Sequence, residues 1–309
     1  MKYASLIVTF NRKEKLINAL NSVLNQTLKP SVIILIDNCS NDGTNQLLHD
    51  KGYLDNDLIH YVRLDQNYGG SGGFYYGVKE AIQLSDKFDY LSFSDDDAYF
   101  DREYFKTIEN VLTRHSNILA YCGTVKNIDG TIQTLHRRRI TNSKIIKETS
   151  VPESMYNKDF FVDTFSFVGS FVNINLIKQI GLPNKNYFIY FDDTEYSLRI
   201  RKHTKIMNIS NAIVIHDTKS VNNDSPITWK SYYDLRNSML MKQEYSSWKG
   251  LRLYFVGHLV KVSCLALVSP DFTGIRRRAL YTYWRAYKDA LNGISGTNKQ
   301  FLPGRHLPY

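Results

Sequence analysis

Four short apolar runs, each spilling into polar residues, constrain this chain more than any other feature. They occupy residues 4–10, 32–36, 59–64 and 90–93. The segments between them carry helical signals. Leu16, Ala19, Leu20, Val23 and Leu24 form an apolar stripe that Pro30 ends. Asn41-Asp42-Gly43-Thr44 is turn chemistry leading into a helix. A glycine-rich turn at 67–73 precedes a helix over 74–84. This β-α-β-α order predicts an α/β protein, with a Rossmann-like, mostly parallel sheet flanked by helices. Such sheets bind ligands outside the carboxyl ends of their strands, where the polar residues of this chain gather.

The later chain is less regular. Residues 101–114 read as a helix, 118–124 as a strand, and Asp129-Gly130 as a hairpin signal. Residues 137–157 have no period and read as a loop. The stretch 165–173 is strand-like, and Gly181-Leu182-Pro183 stops a short helix over 175–180. A strand over 213–215 runs into His216, and 229–244 reads as a helix.

Chemistry concentrates after the strands. The run 90–93 enters Asp95-Asp96-Asp97. An extended chain puts Asp95 and Asp97 on one face, where two carboxylates repel unless a cation lies between them. The alternative is an acidic surface turn. His216 would complete a mixed oxygen and nitrogen site suited to Mn²⁺ or Mg²⁺, or would be a hydrogen-bonded core histidine. Asp37 either meets a nucleobase N–H edge or closes an Asx-turn. The stretch from Asn67 to Gly73 suits close approach of backbone to phosphate, or is a flexible loop. Asp192 and Glu195 have capping-box spacing. Asp193 then stands beside the apolar cluster 187–191 as a candidate general base, and Arg199 is available to pair with one of these acids.

Three widely spaced cysteines, Cys39, Cys122 and Cys264, fit a reducing compartment and no metal motif. No uncharged apolar span of membrane-crossing length is visible. The net charge of +9 is uneven: from Trp248 onward there are ten Lys/Arg against two acids. Residues 251–268 are apolar but interrupted by Arg252, His258 and Lys261, and Arg276-Arg277-Arg278 follows. This mixture suits peripheral contact with a membrane interface, or a helical subdomain packed on the core. Nucleic acid is the other home for such residues, but no nucleic-acid motif accompanies them.

Taken together, Val8-Thr9-Phe10-Asn11-Arg12, Ile36-Asp37-Asn38, Asn67, Asp95-Asp96-Asp97 and Asp192-Asp193-Thr194-Glu195-Tyr196 resemble the inverting glycosyltransferases of family 2. The resemblance covers roughly residues 3–217 and implies a GT-A fold. Gly69-Gly70-Ser71-Gly72-Gly73-Phe74 and the later Trp229-Lys230-Ser231-Tyr232-Tyr233-Asp234-Leu235-Arg236-Asn237 look like the galactofuranosyltransferase branch. Rhamnosyltransferases share much of the pattern.

The resemblance implies roles at matching positions. Thr9, Phe10 and Arg12 line the nucleotide, Asp37 faces uracil, and Asn67 with Gly69, Gly70, Gly72 and Gly73 lies beside the donor. Asp95, Asp97 and His216 hold Mn²⁺ or Mg²⁺ on the diphosphate, and Asp96 reaches the ribose or donor sugar. Asp193 deprotonates the acceptor, with Asp192 near acceptor or donor. Arg236 contacts the leaving phosphate or forms a salt bridge. Trp229 and Tyr232 stack on sugar or pack in the core.

The implied reaction moves a sugar, galactofuranose from UDP-galactofuranose, to a glycan or lipid-linked glycan in bacterial surface polysaccharide synthesis. The alternatives are a rhamnosyltransferase using dTDP-rhamnose and a non-catalytic sugar-nucleotide or glycan-binding protein. The expected division is a catalytic domain over 1–245 and a basic helical extension over 246–309. The expected location is cytoplasmic, peripheral at the inner face of the plasma membrane.

Overall fold

The computed structural model describes residues 1–218, 225–305 and 307–308. The first half of the chain alternates strand and helix as its pattern demands. β1 (Tyr3–Thr9), α1 (Lys13–Leu24), β2 (Val32–Asp37), α2 (Thr44–Asp50), β3 (Ile59–Arg63), α3 (Gly69–Gln83) and β4 (Tyr90–Asp95) follow one another. β5 (Ala98–Phe100), α4 (Tyr104–Leu112) and β6 (Ala120–Lys126) come next. The remaining strands are β7 (Arg137–Asn142), β8 (Lys147–Ser150), β9 (Phe160–Val162), β10 (Thr164–Phe165) and β11 (Ser170–Asn173). Then come α5 (Ile174–Ile180), α6 (Asp192–Ile200), β12 (Ile206–His216), α7 (Trp229–Tyr245), α8 (Leu251–Val268) and α9 (Arg276–Leu291).

The main sheet runs β3-β2-β1-β4-β11-β6-β12-β5, with β9 also on β12. β3, β2, β1 and β4 are mutually parallel, and β6 and β12 form a further parallel pair. β11 inserts antiparallel between β4 and β6. Alternation along the strands divides the core between the two faces. Leu6, Val8, Ile34, Ile36 and Phe93 pack with α3, while Ile7, Ile33 and Leu35 pack with α1 and α4. Because β1 lies between β2 and β4, their carboxyl ends bring Thr9, Asp37 and Asp95 to one edge.

The chain forms two compact units that interleave in sequence. The first contains Met1–Arg139, Thr149–Asn184 and Asp193 through the end of β12. The second contains Ile140–Glu148, Lys185–Asp192 and the chain from α7 onward. The sequence reading drew its division at 245; here α7 groups with α8 and α9, and α9 packs on both.

Three local expectations change. The stretch 137–157 is not a loop: Arg137 and Arg138 of β7 pair with Phe165 and Thr164 of β10, and β8 completes a three-stranded sheet. The glycine-rich stretch is not a turn but the first turns of α3. A Cβ on Gly73 would stand 2.3 Å from Val8 Cγ1, and one on Gly77 would stand 2.3 Å from Leu6 Cδ1. These glycines therefore bring a helix close to β1. Finally, α8 is long and apolar enough to cross a membrane by length and composition, so the expectation of no such span was too strict.

Candidate active site

Asp95 ends β4 and Asp96-Asp97 turns the chain into β5, which pairs antiparallel with the end of β12. That pairing sets Ala98 beside His216, and Asp217 N–H donates to the Asp97 carbonyl at 2.8 Å. The convergence of Asp95, Asp97 and His216 thus follows from strand pairing, not from an extended run through all three acids. One ligand atom from each of the three lies within 4.8 Å of the others.

The histidine is oriented by a residue that sequence reading missed. Gln133 Nε2 donates to the His216 carbonyl at 3.0 Å and to Asn127 Oδ1 at 2.7 Å. A carbonyl only accepts, so the amide nitrogen faces it and Oε1 faces the rings. Oε1 accepts from His216 Nδ1 at 3.0 Å and His136 Nε2 at 2.9 Å. His216 therefore carries its proton on Nδ1 and turns Nε2 toward Asp97 Oδ1, 3.3 Å away. Burial first, then His216, Arg137 and Arg138, hold the His136 pKa well below the usual histidine range. No sequence spacing marks an amide in this supporting role.

The carboxylates are electrostatically unequal. Burial, with Asp97 beside it, pushes the Asp95 carboxyl up to about 7. Burial also acts on Asp97, but the neighbouring His216 and Arg12 outweigh it and hold Asp97 below its ordinary value. Burial pushes Asp96 up to about 6 against the pull of Arg12. Two oxygen ligands and one imidazole nitrogen, with an uncompensated carboxylate among them, fit a divalent cation.

Around this group the first unit presents Arg12, whose side chain is half exposed. Its Nη1 lies 2.5 Å from Asp97 Oδ2 and 3.2 Å from Asp96 Oδ1. Asp96 also accepts from Thr9 Oγ1 at 2.8 Å and Phe10 N–H at 3.2 Å. It is buried and braces the β1 edge, with Arg12 Nη1 bridging it to Asp97. Asp37 is fully enclosed. It accepts from Ser40 N–H at 2.7 Å and Tyr61 Oη at 2.8 Å, which matches the Asx-turn reading and keeps it from facing a base. Asn67 accepts from Asn38 Nδ2 at 3.0 Å and Gly69 N–H at 2.8 Å, fastening the start of α3. Of the neighbouring glycines, Gly70 has open space around it, whereas Gly72 and Gly73 are packed closely.

Asp193 is half-buried near the start of α6, where its Oδ1 accepts from Thr194 N–H at 2.6 Å. Three residues on, Tyr196 sits 6.4 Å from Phe93 and 5.9 Å from Phe167, ring to ring. Phe93 precedes Asp95 by two residues, so α6 is seated against the strand that carries the carboxylates. Arg199 pairs with Glu195 at 2.8 Å and donates to the Ile180 and Leu182 carbonyls, the salt-bridge alternative.

In the second unit, Arg236 and Asn237 serve the chain that precedes Asp193. Arg236 is buried, and every guanidinium nitrogen is engaged: Asn237 Oδ1, Tyr232 Oη, and the carbonyls of Gly296, Asn186 and Tyr187. This disagrees with a phosphate contact. Asn237 Nδ2 donates to the carbonyls of Tyr187, Ile189 and Tyr190. The turn it holds has Phe188, Tyr190 and Phe191 at φ of 67° to 69°, a left-handed conformation costly to bulky side chains. Tyr232 is fully buried, stacked 4.2 Å from Phe301 and bonded to Asp289 at 2.6 Å, so it is a core residue and not a sugar platform. Trp229 is half-buried against Phe188 and Tyr233. Asp192 is buried in the same unit.

Fold and site together define an α/β protein of the GT-A class. The family model of Glycosyl transferase family 2 matches residues 5–176, more than half of the chain, and the chain belongs to that family. It is 24% identical over 200 residues to galactofuranosyltransferase GlfT1 of Mycolicibacterium smegmatis, covering 63% of this chain and 64% of that protein. Galactofuranosyltransferase GlfT2 of the same organism is 24% identical over 260 residues, covering 76% of this chain and 40% of that protein. The chain thus spans less than two thirds of either relative. Among solved structures, GalNAc-T7 with UDP, GalNAc and Mn²⁺ superposes with a TM-score of 0.62 at 14% identity, over 95% of this chain and 56% of that one. Residues 1–349 of S. aureus TarS superpose with a TM-score of 0.57 at 16% identity, over 95% of this chain and 83% of that one. These likenesses establish the fold.

Proposed function

We propose that this protein is an inverting, cation-dependent glycosyltransferase that moves galactofuranose from UDP-galactofuranose to a glycan or lipid-linked glycan during bacterial surface polysaccharide synthesis. The observation that carries the reading is the meeting of Asp95, Asp97 and His216 within 4.8 Å at the carboxyl edge of the sheet. The donor assignment is supported by the galactofuranosyltransferases among the relatives. The same reading puts the reaction in the cytoplasm, at the inner face of the plasma membrane.

In this reading Asp95, Asp97 and His216 Nε2 hold Mn²⁺ or Mg²⁺. Such an ion, when bound, offsets the negative charge of the departing diphosphate. Thr9, Phe10 and Arg12 line the nucleotide, with Arg12 free to exchange its carboxylate partners for phosphate. Asp96 keeps that edge in register. Asp193 accepts the proton of the acceptor hydroxyl. The acceptor oxygen forms its bond to the anomeric carbon as the carbon–oxygen bond to the diphosphate breaks, and the bonding pair leaves with UDP. Attack and departure occur on opposite faces, so the configuration inverts. Asp37 stays an internal brace of the turn after β2, and Arg236 an internal brace in the second unit.

The test is UDP and dTDP release across a panel of nucleotide sugars, with Mn²⁺ present and then chelated. The expected result is cation-dependent UDP release from UDP-galactofuranose. Release of dTDP from dTDP-rhamnose would move the chain to the rhamnosyl branch. Nucleotide binding with no turnover in the presence of acceptor would favour a binding protein. Asp193→Ala should lower turnover by about 10²–10⁴-fold while leaving UDP affinity unchanged. Unchanged turnover would remove Asp193 from its role.

A further inference from the structure

We propose that the outward face of α8 is a lipid-docking surface, by which the second unit lies on an anionic bilayer. The helix is apolar on both sides. Leu251 and Phe255 are buried with Met239 of α7 and Tyr287 of α9, and Ala266 is buried with Ala279 of α9. On the opposite side Leu253, Val256, Val260, Cys264 and Leu267 follow one another at helical spacing along a single face. All five are exposed, Leu253 at 79% and Val260 at 57%. From Leu253 to Leu267 the stripe is about 21 Å long at about 1.5 Å per residue. A helix on a water-facing surface ordinarily turns charge to that side. Here the exposed stripe is apolar throughout, which marks a contact face.

The charges around the stripe identify the occupant. Arg252 and Lys261 are exposed, and at about 100° per residue they fall on opposite flanks of it. α8 contains no acidic residue. α9 opens with exposed Arg276 and Arg277. Cations flanking an apolar stripe match the layered chemistry of a lipid headgroup region over acyl chains. A second copy docking through the same stripe would set Arg252 and Lys261 against their counterparts with no acid on either copy of α8. The helix lies in the interface instead of crossing it, because its other face is already covered by α7 and α9. None of this rests on the donor or on the cation site.

The test is flotation of the full chain with phosphatidylcholine vesicles, with and without phosphatidylglycerol, across salt. Wild type should float with the anionic vesicles and far less with the neutral ones. Leu253→Glu/Val260→Glu should lower the floated fraction by at least about tenfold, through lost apolar contact. Its thermal midpoint should stay unchanged, since both side chains are exposed. Arg276→Glu/Arg277→Glu, a second exposed pair, should abolish the preference for anionic lipid. UDP release in free solution should be unaffected in both variants, which separates failure here from failure of the transferase reading. Flotation of the double apolar variant at the wild-type level would overturn the proposal. So would absence of flotation by wild type, or a wild-type dimer that this variant splits.

Discussion

Asp95 and Asp97 stand two residues apart and are displaced in opposite directions, and this asymmetry has a measurable consequence. Burial raises Asp95 to about 7 and Asp96 to about 6, so both bind protons more tightly folded than unfolded. A group of that kind adds stability below its unfolded value, near 4, and loses it as pH climbs through the folded value. Asp97 is depressed, and its contribution is lost only in acid. Between pH 5 and 8 the two raised acids dominate this cluster. The cation-free protein should therefore have a lower thermal midpoint at pH 8 than at pH 5. Mn²⁺ should recover most of the difference by binding the ionised form. A flat or rising profile without cation would contradict the arrangement. Gln133 makes the second residue-scale prediction. Replacing it with Leu removes the acceptor that fixes the His216 tautomer, which should weaken Mn²⁺ binding by about 10–100-fold in titration calorimetry. Affinity within twofold of wild type would show that Gln133 does not orient the ring.

At the scale of elements, the sequence was most legible where burial on both faces enforced long apolar runs. β1, β2 and β4 announce themselves, and their polar ends give Thr9, Asp37 and Asp95. What stayed hidden depended on partners distant in sequence. The glycines of α3 read as a loop because the residues that require them, Val8 and Leu6, lie on another strand. Arg137 belongs to a run of three arginines that looks like a solvated face. It is in fact fully buried, donating to the Gly123, His136 and Val168 carbonyls. Tyr232 reads equally as a sugar platform or a core residue, because an aromatic stripe does not declare which side is covered. The Asn237 clamp was equally invisible, since its targets are backbone carbonyls. Asn237→Ala would remove the side-chain donor that the Tyr187, Ile189 and Tyr190 carbonyls share, leaving Tyr187 with Arg236 and Ile189 N–H. We expect a loss of about 1–3 kcal/mol in stability. Turnover should also fall through displacement of Asp193, with UDP affinity preserved. Wild-type turnover at reduced stability would confine Asn237 to a folding role.

At the scale of the whole molecule, the chain divides its tasks between two interleaved units. The first carries the carboxylates and His216 where strand pairing brings them together, and Asp193 near the start of α6. The second, built on α7, α8 and α9, holds most of the surplus positive charge and the exposed apolar helix. Composition revealed that charge asymmetry at once. It did not reveal that the chain weaves between units, because residues 140–148 and 185–192 join the second only through tertiary packing. The central claim is that Asp95, Asp97 and His216 hold a divalent cation against the diphosphate of a nucleotide sugar. The most direct measurement is the affinity for UDP, with Mn²⁺ and with chelator, in wild type and in Asp95→Asn/Asp97→Asn. The account predicts that Mn²⁺ tightens UDP binding to wild type by at least about tenfold, or about 1.4 kcal/mol, and has no effect on the variant. Equal UDP affinity with and without Mn²⁺ in wild type, or an equal Mn²⁺ effect in the variant, would contradict it.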